Sequence, residues 1–332
     1  MKTIKQFLCL IFFVWASISF FGCEDQYHDL DEPGLLVPLT VDEDPSLPSI
    51  TVNNTQLHSE TFGDPEDPMI VAVHGGPGGD YRSILNCKEF ANDGFFVVFY
   101  DQRGSGLSQR HDANNFTGQI YIDDLDAVIE YYRSSENQKV ILMGHSWGAM
   151  VATAYVNQYP QEIDGLVLME PGGFTWDITL DYINRSRSME LFGETTNDYV
   201  YLDQFITSDQ HNTLDYKANL IMVTSFAEGN KTGNAGPFPF WRNGAVCNSA
   251  TIKYAEKNSF DFTTNLSQYT TKVLFTYSEL NTAYGSEHAR LVSSAYPNVQ
   301  LEKIDGTGHE IPYFGWSNFY PVALSYLNEI NQ

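Results

Sequence analysis

The stretch from Val140 to Gln158 constrains this chain more than any other. Four apolar residues, Val140-Ile141-Leu142-Met143, read as a strand buried on both faces. From Trp147 to Gln158 the pattern is that of a helix. Only Gly144-His145-Ser146-Trp147-Gly148 joins the two, so the chain must reverse within a few residues. A serine in such a turn is held in a strained backbone conformation, and the flanking glycines keep strand and helix from colliding. Its hydroxyl then stands at the edge of a sheet. The N–H of Trp147, at the start of the helix, faces the place where negative charge would develop on an attacked carbonyl. Ser146 is the candidate nucleophile.

Elsewhere short apolar runs alternate with helical patterns. Strands are expected at 70–73, 95–100, 140–143, 165–169, 273–277 and 299–304, and helices at 81–92, 121–133, 147–158, 287–295 and about 316–329. Strands followed by helices imply an α/β fold, a mostly parallel central sheet covered on both faces. The alternation stops at 172–265, which is aromatic, carries Gly236-Pro237-Phe238-Pro239-Phe240 and is helix-like. This stretch reads as a mainly helical cap inserted between two parts of the core, 49–171 and 266–332.

Two further loops follow expected strands. His74-Gly75-Gly76-Pro77-Gly78-Gly79 comes after 70–73, and its glycines let backbone amides approach a ligand closely. Gly75 and Gly76, with Trp147, are the candidate oxyanion hole; the donor is expected to be Gly76, with His74 a structural contact beneath the loop. Asp305-Gly306-Thr307-Gly308-His309-Glu310 follows the last strand, where His309 is placed to take the Ser146 proton and pass it to a leaving group.

Together with Asp101-Gln102-Arg103-Gly104-Ser105-Gly106 and Ser108, these motifs make the core resemble the α/β-hydrolase superfamily, and within it the proline iminopeptidases. The resemblance covers about 50–170 and 266–332. It implies an α/β-hydrolase fold with a helical cap after the sixth strand, and release of N-terminal residues, often proline, from peptides. It also implies that acidic side chains of the cap bind the free amine. Asp177, Asp181, Glu190, Glu194 and Glu228 are candidates that no motif singles out. Asp101 and Arg103 are expected to form a buried network under the site.

Two departures stand out. His145 occupies the second elbow position, where the family has glycine and many esterases have histidine. The family's triad aspartate aligns with Asn281, in Tyr277-Ser278-Glu279-Leu280-Asn281. An asparagine orients an imidazole but offers no charge to an imidazolium. Glu170, after the sixth strand, and Glu279 are the two replacements, with Glu170 preferred because some α/β-hydrolases draw their acid from that strand end.

At the N-terminus, Lys2 and Lys5 precede an apolar run at 7–21, then Gly22 and Cys23. Residues 1–22 resemble a bacterial lipoprotein signal with Cys23 as the lipidated residue, although Phe20 and Phe21 are bulky for such a site and leave ordinary signal cleavage as the alternative. The expectation is export to the periplasm or cell surface, with the membrane as partner through that anchor only. Residues 23–48, rich in Asp, Glu and Pro, read as an acidic tether. Cys87 and Cys247 remain, either paired or separately buried. The formal charge of -24 disfavours nucleic acid. Nothing in the spacing of Cys, His and carboxylates calls for a metal or cofactor. Three readings follow: an aminopeptidase acting on small peptides through an acyl-enzyme, an esterase or amidase of another small molecule, or a surface-binding lipoprotein without turnover. The sequence leaves the oligomeric state open.

Overall fold

The structure, a computed structural model, describes residues 29–186, 207–224 and 230–332. Eight strands form one sheet: β1 (Ser49–Val52), β2 (Thr55–Phe62), β3 (Met69–Val73), β4 (Phe96–Tyr100), β5 (Val140–His145), β6 (Gly165–Met169), β7 (Val273–Ser278) and β8 (Val299–Ile304). Their order is β1-β2-β4-β3-β5-β6-β7-β8. β1 and β2 run antiparallel to their neighbours, and every pairing from β4 to β8 is parallel.

The inner parallel strands β3, β4 and β6 are apolar throughout because both faces are covered, whereas the edge strand β8 carries Gln300, Glu302 and Lys303. Met69, Val71 and Val73 face one core with α1 (Gly118–Tyr132), α2 (Trp147–Gln158) and, farther along the sheet, α6 (Gly285–Ser293). Ile70 and Ala72 face the other, with the stretch Tyr81–Asp93 and α8 (Trp316–Ile330). Full burial of one such Val, Ile or Leu contributes about 1.5–3 kcal/mol. Tyr81–Asp93 forms 3-10 turns rather than the expected α-helix. Asp80 starts it by accepting from the Arg82 N–H at 3.0 Å.

Between β6 and β7 the chain leaves the sheet. The described residues there form α3 (Trp176–Ser186), α4 (His211–Thr224) and α5 (Ala245–Asn258), with one bridge between Thr175 and Asp261. The short α7 (Ile311–Phe314) follows β8.

The described part of the expected tether, 29–48, is packed against the protein and is not a free spacer. Val37, Thr40 and Val41 are buried, and the Val41 N–H donates to Leu107 O at 2.8 Å. Arg242 donates to Pro38 O at 2.8 Å and pairs with the buried Asp215 of α4 at 2.7 Å, which also holds Arg110 at 2.9 Å. The spacing of charges along the chain does not reveal such a network, because its members come from four separate segments. Cys87 and Cys247 are both free and buried.

Candidate active site

Everything assembles at the carboxyl ends of the parallel strands, where α/β sheets place their ligands. The elbow after β5 is as tight as its glycines imply. Ser146 has φ 54° and ψ -118°, outside the ordinary regions for a side-chain-bearing residue. A Cβ on Gly144 would lie 2.5 Å from Gly148 O, and one on Gly148 would lie 2.0 Å from Val73 O. The Ser146 N–H donates to Met169 O at 2.8 Å, which ties the turn to β6.

His309 Nε2 lies 2.9 Å from Ser146 Oγ, and its Nδ1 lies 2.7 Å from Glu170 Oε2. The carboxylate partner fixes the tautomer: Nδ1–H donates to Glu170 and Nε2 accepts from the serine. Glu170 stands at the end of β6 with φ 47°, wholly buried. Its Oε1 accepts from Ser278 N–H at 2.7 Å and Ser278 Oγ at 2.5 Å; its Oε2 also accepts from Asn281 Nδ2 at 3.0 Å. A buried carboxylate needs such a full set of donors to stay charged without heavy cost. Asn281 and Ser278 are thus the support of the acid. Tyr182 of α3 takes a 3.0 Å bond from Asn281 Nδ2 and brings its hydroxyl to 3.4 Å from His309 Nδ1.

Glu279 stands apart. It accepts from Gly306 N–H at 2.9 Å and pairs with Lys303 at 3.2 Å in an exposed turn. Those contacts, led by the Gly306 N–H, hold its carboxyl below the usual range.

Burial alone would lower the His309 pKa, but the hydrogen bond and charge of Glu170, then the charge of Glu310, leave it raised. An imidazolium formed during proton transfer is stabilised accordingly. His145 is the opposite case: burial, then the neighbouring His309, push it down to about 3. It is neutral, and its Nε2–H donates to His309 O at 2.8 Å, which fastens the base's loop to the elbow.

Gly75 and Gly76 line a cavity of about 370 Å³ together with Ser146 and His309. A Cβ on Gly75 would stand 3.3 Å from Ser146 Cβ, so a larger residue there would press on the nucleophile and glycine lets the loop lie close beside it. Trp147 is the first residue of α2, where its N–H has no acceptor within the helix and is free for an oxyanion. Its indole donates to Gln102 Oε1 at 3.0 Å. His74, wholly buried, bonds Gly75 O through Nδ1 at 2.7 Å and accepts from Gln102 N–H through Nε2 at 2.9 Å. Asp101 and Arg103 do not share a network. Asp101 pairs with His58 at 2.8 Å and accepts from the N–H groups of Tyr81 and Leu107, whereas Arg103 grips Asp124 through two 2.8 Å bonds.

Of the cap acids, Asp177 and Asp181 are exposed on α3, Asp181 paired with Arg185 at 3.0 Å, and neither lines the cavity. Glu190, Glu194, Glu228 and Cys23 lie outside the described residues. Sequence reasoning missed Tyr182 and Glu310. Glu310 carried one signal, its place directly after the base on a glycine-flanked loop. His145, His309 and Glu310 bring ligand atoms within 4.8 Å of one another. Both His309 nitrogens are already engaged, which leaves two donors, short of the set a zinc ion takes.

The sheet, the elbow and the cavity together have the form of an α/β-hydrolase fold. A family described as serine aminopeptidase, S33, matches residues 64–224. The chain is 34% identical to a proline iminopeptidase of Saccharolobus solfataricus over 100 residues, 30% of this chain and 32% of that protein. It thus spans about a third of that relative's length. The proline iminopeptidase PfmaB of Pestalotiopsis fici is 24% identical over 79% of this chain and 92% of its own. In fold, the proline iminopeptidase of Mycobacterium smegmatis superposes with a TM-score of 0.60 at 16% identity, covering 85% of this chain and 98% of that one. An esterase from Exiguobacterium antarcticum superposes with 0.57 at 16%, covering 85% and 99%. The chain resembles the proline iminopeptidases in sequence and carries a fold they share with esterases.

Proposed function

We propose that this hydrolase works through an acyl-enzyme on Ser146 and releases the N-terminal residue of small peptides. The observation that carries the reading is the hydrogen-bonded series Ser146–His309–Glu170 opening into a cavity beside Gly75 and Gly76. His309 Nε2 takes the Ser146 proton as Oγ attacks the carbonyl, and Glu170 stabilises the imidazolium. The oxyanion is received by the N–H of Trp147 and of the Gly75–Gly76 loop. His309 then protonates the leaving amine, and a water activated by the same base releases the acyl group. A substrate with a free amine suits a cavity whose described lining holds Asp80 and Glu310 and neither lysine nor arginine.

The test is labelling by a fluorophosphonate, followed by turnover of proline p-nitroanilide and its N-acetylated form. Labelling lost in Ser146→Ala supports the serine mechanism. Folded protein that does not label would point instead to a surface-binding protein without turnover, the reading that Asn281 in place of an acid first suggests. Equal turnover of both anilides would favour the second reading, an esterase or amidase, which His145 at the elbow and the esterase-like fold support. We further propose that Cys23 is lipidated and anchors an exported chain to a membrane. Incorporation of labelled palmitate in the wild type but not in Cys23→Ser would support this, and equal labelling of both would refute it.

A further inference from the structure

Glu310 directly follows the base, and its backbone N–H is held by Asn234 Oδ1 at 2.9 Å. Its side chain is more than nine-tenths buried, lines the cavity with Ser146, and has an Oε2 without any hydrogen-bond partner among the described residues. His145 Nδ1, 3.8 Å away, is equally unpartnered. Because His145 Nε2 faces the carbonyl oxygen of His309, its proton is on Nε2 and Nδ1 is a lone pair. The wall therefore presents two acceptors side by side, and among the described residues neither has a donor.

The other carboxylate of the cavity differs. Asp80 accepts from the N–H groups of Arg82 at 3.0 Å, Trp241 at 2.6 Å and Arg242 at 3.2 Å. It is consumed in clamping the oxyanion loop to the chain before α5. Among the described residues Glu310 Oε2 makes no such bond.

We propose that Glu310 Oε2 and His145 Nδ1 together take the ammonium group of the substrate, so that the amine is anchored by the base's own loop and not by the cap. This rests on the aminopeptidase reading. One nitrogen can bond both acceptors, since two hydrogen bonds of about 2.9 Å comfortably bridge atoms this far apart. A neutral amide or ester lacking that charge leaves the carboxylate unpaired. The position also suits a terminal residue. His145 Nδ1 and Ser146 Cβ lie 3.2 and 3.3 Å from the point where a Gly75 Cβ would stand, so acceptor and nucleophile flank one glycine. An α-amino group held there belongs to the residue whose carbonyl is attacked. Burial, eased by His309 and reinforced by Glu170, pushes Glu310 up to about 7, and a bound cation would draw it back to the charged form.

The experiment measures kcat and KM of the full chain for alanine and proline p-nitroanilides and their N-acetyl forms, in wild type, Glu310→Gln and Glu310→Asp. The expected result is a wild-type preference for the free amine of about 100-fold or more. Glu310→Gln is expected to raise KM for the free amine by about 30-fold or more and to collapse that preference, with part of it restored in Glu310→Asp. A preference kept within threefold in Glu310→Gln overturns the inference and leaves the aminopeptidase reading standing. No preference in the wild type overturns both. Should Glu310→Gln not fold, Glu310→Asp decides: a KM raised at least fivefold with kcat within threefold supports the anchor, and an unchanged KM refutes it.

Discussion

Asn281 Nδ2 donates to Glu170 Oε2 at 3.0 Å across the ends of β7 and β6. Where the proline iminopeptidases are expected to carry their acid, this chain carries an amide, and the amide serves an acid that has moved one strand over. Glu170→Gln is expected to cut kcat by about 10⁴-fold, as loss of the charge behind an imidazolium does. Glu279→Gln should leave kcat within about threefold, because Glu279 reaches only Gly306 and Lys303. Steady-state kinetics on both variants check this.

The same relationship predicts a rescue. Asn281→Asp alone sets two carboxylates together in a buried site, so it should lower stability and activity near neutral pH. Combined with Glu170→Gln, it returns one charge to the site. The double variant is expected to recover at least tenfold of the kcat lost in Glu170→Gln, and no recovery would show that the β7 position cannot serve His309.

A pH profile reports the charges around His309. The base must be neutral to accept a proton, so kcat/KM for an uncharged ester should rise with pH through a midpoint above the ordinary histidine value of about 6.5. Glu170, Glu310, His145 and Tyr182 are the titratable groups that face it. Removing the charge of Glu310 destabilises the imidazolium, so Glu310→Gln should move that midpoint to lower pH.

Glu310 also predicts a stability effect of opposite value to its use. Its folded pKa of about 7 lies above the ordinary 4.5, so the unfolded chain loses this proton first as pH rises. The resulting penalty on folding grows between about pH 4.5 and 7, then levels off at roughly 3 kcal/mol. Thermal unfolding should therefore show Glu310→Gln more stable than wild type at pH 8, with no advantage at pH 4.

Arg242 joins the 29–48 segment to the cap. Arg242→Met leaves the wholly buried Asp215 with Arg110 and the Ala245 N–H but without its second cation, and a cost of about 2–4 kcal/mol is expected in chemical unfolding. Limited proteolysis should cut within 29–48 earlier than in the wild type, since the bond to Pro38 O is lost with it.

The parts of this molecule that were legible in the sequence are those with a local cause. The elbow, the parallel strands and the glycine loop each follow from patterns within a dozen residues. The β1–β2 hairpin went unread although Asn53 and Asn54, both at positive φ, mark its turn, because β1 has only four residues and β2, Thr-Gln-Leu-His-Ser-Glu-Thr-Phe, is polar at six of its eight positions. The choice between Glu170 and Glu279 depended on what surrounds each carboxylate, and Ser278, Asn281 and His309 reach Glu170 only through pairing of β6 with β7 and of β7 with β8. Tyr182 and Glu310 were hidden for the same reason: one reaches the base from the cap, and the other is set apart by surroundings in which its Oε2 meets no hydrogen-bond partner among the described residues.

The contact between Gly148 and Val73 O has a consequence for motion. With only 2.0 Å available to a side chain there, the start of α2 rests directly on the end of β3. The attacking hydroxyl and the strand end that carries the oxyanion loop are therefore packed backbone against backbone, and the loop is tied in turn to the cap, where the Gly244 N–H donates to Gly78 O at 2.8 Å. Movement of the chain before α5 would accordingly be felt by the amides that wait for the charge, while the serine keeps its seat on β3.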